Sequence, residues 1–213
     1  MATNPTGPSS LVERAKNIIL QPKAEWPRID SEPTTIAEIY KNYVVILAAI
    51  GPIAMLIGQQ LFGYRAFGMV YKPSLTTSIT QAVLTYVMSL VSVYVLALII
   101  DWLAPNFGGT KDPVKAFKVA AYSSTAAWLA GIFGIIPMLA ILGIVGLYSL
   151  YLLYLGLPVL MKAPQDKAAG YTAVTVIAAI VLYLVVGVLV STVAGAFAPA
   201  VPAAGSVTYT VPG

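Results

Sequence analysis

The sequence predicts an all-α, polytopic integral membrane protein: a helical bundle of five transmembrane helices with an N-terminal amphipathic interfacial helix. Two observations carry this prediction. Of the 213 residues, 59% are hydrophobic and only 9% are charged, whereas a soluble domain is about a quarter charged because its surface faces water. The charged residues are also clustered, and they leave four long uncharged runs. Such a composition excludes a water-soluble globular domain.

The lengths of the uncharged runs set the number of spans. A helix needs about 20 apolar residues to cross the hydrocarbon, and the first, second and fourth runs each accommodate one helix. The third run, between Lys118 and Lys162, has 43 residues and would reach about twice too far as one helix. Gly131, Gly134 and Pro137 are expected to break it. The predicted spans are 43–62, 79–100, 119–136, 139–161 and 171–197.

The distribution of lysine and arginine predicts the orientation. Ten of the twelve lie in the N-terminal segment and in the loops after spans two and four, and the other two are Arg65 and Lys72. The positive-inside rule therefore places the N-terminus in the cytoplasm, and five spans place the C-terminus outside. The first 42 residues lack the apolar core of a signal peptide, so span one is expected to act as the insertion signal.

The chain divides into three predicted parts. Residues 1–42 form a cytoplasmic N-terminal segment with an amphipathic helix at 10–21, residues 43–197 form the membrane domain, and 198–213 form an external tail. Ser10 to Glu13 and Thr35 to Glu38 fit capping boxes at helix starts.

The N-terminal helix has an apolar face and a polar face. Ile18 belongs to the apolar face and Arg14 lies opposite it, which suits a helix on the inner membrane surface. Packing on the cytoplasmic ends of the bundle is an equal alternative. The amphipathic ring of Trp26 is expected at the membrane interface.

Three stretches carry a resemblance to a known family. They are LVERAKNIILQPKAEWP (11–27), AFKVAAYSSTAAW (116–128) and YLLYLGLPVLMKAP (151–164), the last followed by Asp166-Lys167-Ala168. Together they resemble the bacterial branch of the Yip domain family, named for the Ypt-interacting proteins of eukaryotes, over about residues 11–197.

The resemblance implies five spans, a cytoplasmic N-terminus and the bacterial inner membrane. Eukaryotic relatives take part in vesicle traffic and contact Rab-type GTPases. The N-terminal segment here is shorter than theirs, so Rab binding is not carried over. The family supplies no catalytic residues to transfer.

The residue inventory argues against an enzyme. The chain has no histidine and no cysteine, and no pair of carboxylates falls inside the predicted hydrocarbon region, so a nucleophile, base or metal site lacks its usual groups. We therefore predict no catalytic residues, no cofactor, no metal site and no nucleic-acid partner.

Asp101 is a candidate functional position because it adjoins an uncharged run, at the predicted cytoplasmic end of span two. The alternative is a solvated interfacial acid that pairs with Lys115 or Lys118.

Tyr148, Tyr151 and Tyr154 recur every third residue of span four. They are expected either to pack by hydrogen bonds between helices or to line a polar path. In the second interpretation they face polar residues of span two, namely Gln81, Tyr86, Ser89 and Tyr94.

Two further features are candidate functional or packing positions. Gly187, Ser191 and Gly195 form a small-residue stripe that permits close helix approach, within the chain or in a homo-oligomer. Pro158 is expected to kink the end of span four or to act there as a hinge or ion site.

These observations favour a non-enzymatic inner-membrane protein that organises membrane or partner proteins. The alternative is a passive transporter, channel or lipid scramblase with a Tyr- and Ser-lined path.

Overall fold

The computed structural model describes residues 10–66 and 69–196, and the predicted C-terminal tail lies outside them. The helices are α1 (Leu11–Leu20), α2 (Pro22–Ser31), α3 (Ile36–Ile39), α4 (Val45–Ala48), α5 (Ile50–Leu61), α6 (Leu75–Leu103), α7 (Pro113–Ser123), α8 (Thr125–Ala130), α9 (Tyr148–Leu160) and α10 (Gln165–Ala196). A π-helical turn covers Tyr40–Val44, and 3-10 helices cover Ala104–Phe107, Gly131–Ile135 and Pro137–Leu147. The all-α fold class is confirmed.

A small ribbon adds one feature that the sequence analysis did not predict. Strands β1 (Tyr64–Ala66) and β2 (Met69–Tyr71) pair antiparallel between α5 and α6, with Tyr64 opposite Tyr71. The segment is too short and too irregular in hydropathy for the alternation of a strand to be read from it.

Four helical segments in the described residues are long and apolar enough to cross a membrane. They are Ile36–Leu61, Leu75–Phe107, Ile141–Leu160 and Gln165–Ala196, and they correspond to predicted spans one, two, four and five. Predicted span three, 119–136, is not one continuous α-helix, so a count of five spans stays a prediction.

Helix α7, which contains the first residues of predicted span three, is the central helix of the bundle. Every residue of α7 from Ala116 to Ser123 is buried, and α7 packs against both α6 and α9. The α-helix is interrupted at Ser124, where the hydroxyls of Ser123 and Ser124 donate to carbonyls one turn earlier, at 2.6 and 2.7 Å. Such bonds often bend helices, which accounts for the break between α7 and α8.

The helix that leads into span one begins at the predicted capping box. The Thr35–Glu38 capping box is present in both of its halves, and the helix continues from there to Leu61. The α-helix is interrupted at Ala49, between α4 and α5. Pro52 has no N–H to donate to the carbonyl of Ala48, so one bond of the ladder is missing at this point.

The chain turns back at Ile136, as the sequence predicts, but the two glycines before it act in packing. Ile136 has extended backbone angles between two 3-10 helices. A Cβ on Gly131 would lie 2.8 Å from the Cα of Gly51, and a Cβ on Gly58 would collide with the carbonyls of Gly134 and Ile135. Glycine is therefore needed here for the close approach of α5 to the 3-10 helix.

Candidate functional site

The most unusual feature of the described structure is a cluster of buried charges beneath α1 and α2. Arg14, Glu25 and Lys118 are each only 3% exposed. Charged side chains are almost never buried to this extent unless they are paired. We call α1 and α2 the cap, and the end of the bundle that they cover the basic end.

Arg14 links the two helices of the cap. Its guanidinium forms ion pairs with the carboxylates of Glu25 and Glu32 and lies over the ring of Tyr122, 5.6 Å from the centroid. Burial by itself lowers the pKa of Arg14, but the hydrogen bond and charge of Glu32 and the charge of Glu25 outweigh it and raise that pKa. Arg14 was predicted on the polar face of α1, opposite Ile18, and this prediction is wrong, because Arg14 is buried beside Ile18. Arg14 lies four residues before the buried Ile18, so both are on one face of α1, and the carboxylates of Glu25 and Glu32 pair with Arg14 there.

Lys118 ties the end of α2 to the central helix. Its ammonium group donates to the carbonyls of Ile29 and Glu32, both at 2.6 Å. These carbonyls lie at the C-terminal end of α2, where the last turn lacks helical donors and favours a cation. Burial lowers the pKa of Lys118, and the nearby charges of Glu32 and Asp30 oppose that shift.

Asp30 joins three segments that are distant in sequence. Its carboxylate pairs with Lys115 at 2.8 Å and with Lys162 at 2.5 Å. Burial opposes ionisation of Asp30, but its hydrogen bonds to Lys115 and Lys162 lower its pKa overall. The N-terminal segment and the loops before α7 and after α9 therefore meet at one end of the bundle. This is the grouping that the charge distribution predicts.

Trp26 anchors the cap on α9. It is fully buried, and its ring occupies the position that a side chain on Gly156 would take, with a Cβ there only 2.7 to 2.9 Å from ring atoms. The ring of Trp26 thus packs against protein, and its position at the level of the membrane interface stays a prediction. Gly156 leaves a notch in α9, and filling it with the indole removes a large apolar area from solvent or lipid.

The three candidate tyrosines of α9 face the cap. The hydroxyl of Tyr148 donates to the carbonyl of Ile19 at 2.9 Å, and its ring lies 5.4 Å from that of Tyr151. Tyr154 lines a cavity beside Trp26.

Two of the four polar residues of α6, Gln81 and Tyr86, contact the first span instead. Gln81 accepts from Gln59 at 3.2 Å, and Tyr86 donates to the carbonyl of Val45 at 3.0 Å. Because α7 lies between α6 and α9, the predicted common path is wrong.

Asp101 has a structural partner. It accepts the backbone N–H of Asp112 at 2.8 Å, and Asp112 in turn caps the start of α7. The predicted pairing of Asp101 with Lys115 or Lys118 is wrong, because both lysines are engaged by residues 29–32. Asp101 thus fixes the loop between α6 and α7.

The remaining candidate positions have different surroundings. Pro158 lies inside α9 and lines the same cavity as Trp26. Ser191 donates to the carbonyl of Val188 in its own helix, and a Cβ on Gly187 or Gly195 would meet nothing within 4 Å. The stripe therefore does not pack within the described chain.

No group of three or more histidine, cysteine, aspartate or glutamate side chains in residues 10–66 and 69–196 is arranged to hold a metal ion. Two of the carboxylates, Glu25 and Glu32, share Arg14. The arrangement neutralises the buried charges and fixes the cap to the bundle.

Comparison with known proteins identifies a matching family and two similar proteins. A family model described as the Yip1 domain matches residues 16–200. The chain is also similar to "Inner membrane protein YohC" of Escherichia coli, from strain K12 and from strain O6:H1, with 31% identity over 112 residues in each case. The match covers 52% of this chain and 57% of the relatives, so the chain spans little more than half the length of these curated relatives. No solved structure matches.

Proposed function

Because the chain belongs to the Yip1 domain family of membrane proteins, we propose that it is a non-enzymatic inner-membrane protein that organises membrane or partner proteins through its cap. Members of this family are not known as enzymes. The observation that carries the proposal is the buried ion-pair network that fixes α1 and α2 to the bundle.

The network makes the cap a rigid surface. Arg14 and Lys118 are buried and satisfied by groups of the segment 25–32. Breaking a buried ion pair leaves an uncompensated charge, so the cap has one strongly preferred position. A fixed cap supports recognition, because little ordering entropy is lost when a partner binds a rigid surface.

The outer side of the cap is available to a partner. Val12 is 72% exposed and Leu20 is 64% exposed, and Lys16 is exposed between them. With the cap in the cytoplasm, as the positive-inside rule predicts, this mixed apolar and basic surface lies where membrane headgroups and cytoplasmic parts of other membrane proteins are found.

The alternative of a passive transporter, channel or scramblase loses its support. Its Tyr- and Ser-lined path required the tyrosines of α9 and the polar residues of α6 to face each other. Tyr148 bonds to the cap, and Gln81 and Tyr86 bond to the first span.

Crosslinking in cells tests the organising role. A photoreactive residue at Val12 or Lys16 is expected to capture the same membrane protein in repeated experiments, and the control position Leu184, which is exposed on α10, is expected not to capture it. Arg14→Met, which loosens the cap, should reduce the yield. A capture pattern that is equal at all three positions and unaffected by Arg14→Met would contradict the proposal.

A flux assay tests the alternative directly. Liposomes that contain the purified chain are expected to leak ions, small solutes and labelled lipids no faster than empty liposomes. Flux that appears and is lost on Tyr148→Phe, Tyr151→Phe and Ser89→Ala would establish the transport alternative instead.

Topology is tested with single cysteines, since the chain has none of its own. We expect cysteines at positions 115 and 167 to be protected from an impermeant maleimide in intact cells, and one in the tail after residue 198 to react. A protected tail would mean that predicted span three does not cross the membrane, which leaves four spans.

A further inference from the structure

Three neighbouring cavities lie beside the cap: the first two are lined by residues of α9, and the third meets α9 only at Tyr148. The first, of about 140 Å³, is lined by Lys23, Trp26, Tyr154, Leu155, Pro158, Val159 and Gln165. The second, of about 430 Å³, shares Lys23 with the first and is also lined by Tyr148 and Tyr151. The third, of about 730 Å³, shares Tyr148 with the second. Because neighbouring cavities share wall residues, we treat them as one groove and call it the α9 cleft.

The end of the α9 cleft near Trp26 is rich in hydrogen-bond donors. Trp26 is fully buried, and its indole N–H has no acceptor among the described residues. A buried donor without a partner is rare and unfavourable, so it indicates an acceptor supplied from outside the chain. The indole N–H can only donate, which makes the missing group an acceptor.

Two further groups favour an anion at the same end. Lys23 lies three residues before Trp26 on α2, so both side chains are on one face of that helix. It is exposed and forms no ion pair within residues 10–66 and 69–196. Gln165 is the first residue of the 32-residue helix α10, whose N-terminal N–H groups attract negative charge. Asp166 is exposed and does not line this cavity.

The opposite end of the α9 cleft is apolar. Apart from the hydroxyl of Tyr148, its walls are hydrocarbon or aromatic side chains, among them Leu129, Phe133, Ile144 and Val145. The cleft therefore changes from donor-rich to apolar along its length. A phospholipid has the same polarity, with a phosphate at one end and acyl chains at the other.

We propose that the α9 cleft binds an anionic phospholipid, with its phosphate at Lys23 and the indole N–H of Trp26 and an acyl chain against the apolar walls beyond Tyr148. Orientation agrees with this, because the donor-rich end lies at the basic end, beneath the cap. The inference goes beyond the organising role and does not depend on it.

Native mass spectrometry of the full chain in detergent tests the proposal. The probes are long-chain phosphatidylglycerol, long-chain phosphatidylcholine, dihexanoyl phosphatidylglycerol and inorganic phosphate. Long-chain phosphatidylglycerol is expected to bind about tenfold more tightly than phosphatidylcholine, because the choline ammonium of phosphatidylcholine places a positive charge near Lys23 and offsets the attraction of its phosphate. The short-chain lipid is expected to bind more weakly, because it leaves the apolar end empty.

Two variants locate the site. Lys23→Gln is expected to weaken the binding of phosphatidylglycerol about tenfold, whereas Lys16→Gln, which removes an exposed lysine of the cap outside the cleft, should change it less than about twofold. Trp26→Phe removes the N–H and keeps a ring, and it should also weaken the binding of phosphatidylglycerol. Thermal unfolding checks that this variant folds. The Lys23 variant remains informative if the Trp26 variant does not fold.

Three results would overturn the proposal. The first is equal binding of the two long-chain lipids. The second is an equal loss of binding in the Lys23 and Lys16 variants, which would indicate attraction to the general charge of the cap. The third is inorganic phosphate that competes as well as the long-chain lipid, which would assign the site to a free anion.

Discussion

The two ends of the bundle are stabilised by different interactions. At the basic end, buried charges meet in directional pairs, and Asp30 alone joins segments that are 85 and 132 residues away along the chain, at Lys115 and Lys162. At the other end, near Ile136, the chain is uncharged and α5 meets the 3-10 helix of Gly131–Ile135 through glycines. Stability is therefore expected to fall at the basic end when one member of an ion pair is lost, and at the other end when a side chain gains volume.

The largest expected effect is at the centre of the buried charge cluster. Arg14→Met keeps most of the length of the side chain but leaves Glu25 buried, with only Arg28 nearby at 3.8 Å. We expect the free energy of unfolding to fall by about 3–5 kcal/mol, the range for a buried pair that loses one partner. Denaturant unfolding in detergent measures this change, and trypsin cleavage after Lys16 and Lys23 should accelerate because the cap detaches.

The matched control for this prediction is Lys16→Met, which removes an exposed charge from the same helix and should change stability by less than about 0.5 kcal/mol. Adding Glu25→Gln to Arg14→Met should restore part of the loss, because it removes the uncompensated charge. Equal losses in Arg14→Met and Lys16→Met would mean that the cap is not held by its ion pairs.

An intermediate effect is expected at the glycine contact. Gly58→Ala places a methyl group against the backbone of Gly134 and Ile135, which cannot rotate away, whereas Gly143→Ala meets nothing within 4 Å. We expect Gly58→Ala to lower the free energy of unfolding by about 1–3 kcal/mol, as overpacking does. Gly143→Ala should be neutral or stabilising by up to about 1 kcal/mol, since alanine has less backbone freedom to lose. Both values come from the same unfolding assay, and a larger loss at Gly143 would refute the assignment of the close contact.

The smallest expected effect is the pH dependence of the Asp30 ion pairs. The pKa of Asp30 is lower in the folded protein than in the unfolded chain, so its ionised form stabilises the fold above the unfolded value near 4, and this stabilisation is lost as the pH falls through the folded pKa. Asp30→Asn should therefore be less stable than the wild type by up to about 1 kcal/mol at pH 7, with the difference vanishing at strongly acidic pH. Unfolding curves of the variant and the wild type between pH 2 and 7 measure it. A difference that grows towards low pH would have the wrong sign for this mechanism.

The candidate positions show why local patterns predict helices better than they predict contacts between helices. The helix start at Thr35 depends on a few adjacent residues, and it is confirmed. The tyrosine stripe of α9 is also real as a helical stripe, but its periodicity does not say which neighbour it faces. A predicted path to α6 failed because α7 occupies the centre of the bundle, and its burial follows from the fold rather than from its own hydropathy.

By itself, the sequence determined the helical membrane class, the four long apolar helices and the meeting of the basic loops at one end. These outcomes rest on properties of single residues, because hydrocarbon excludes charges and requires about 20 apolar residues for a helix to cross it. Only the tertiary structure decided that Arg14, Lys118 and Trp26 turn inward. Each is polar or amphipathic and is stable in water or at an interface, so its burial depended on partners elsewhere: the carboxylates of Glu25 and Glu32, the carbonyls of Ile29 and Glu32, and the notch at Gly156. No local pattern records which distant groups will meet, because that depends on the packing of the whole bundle.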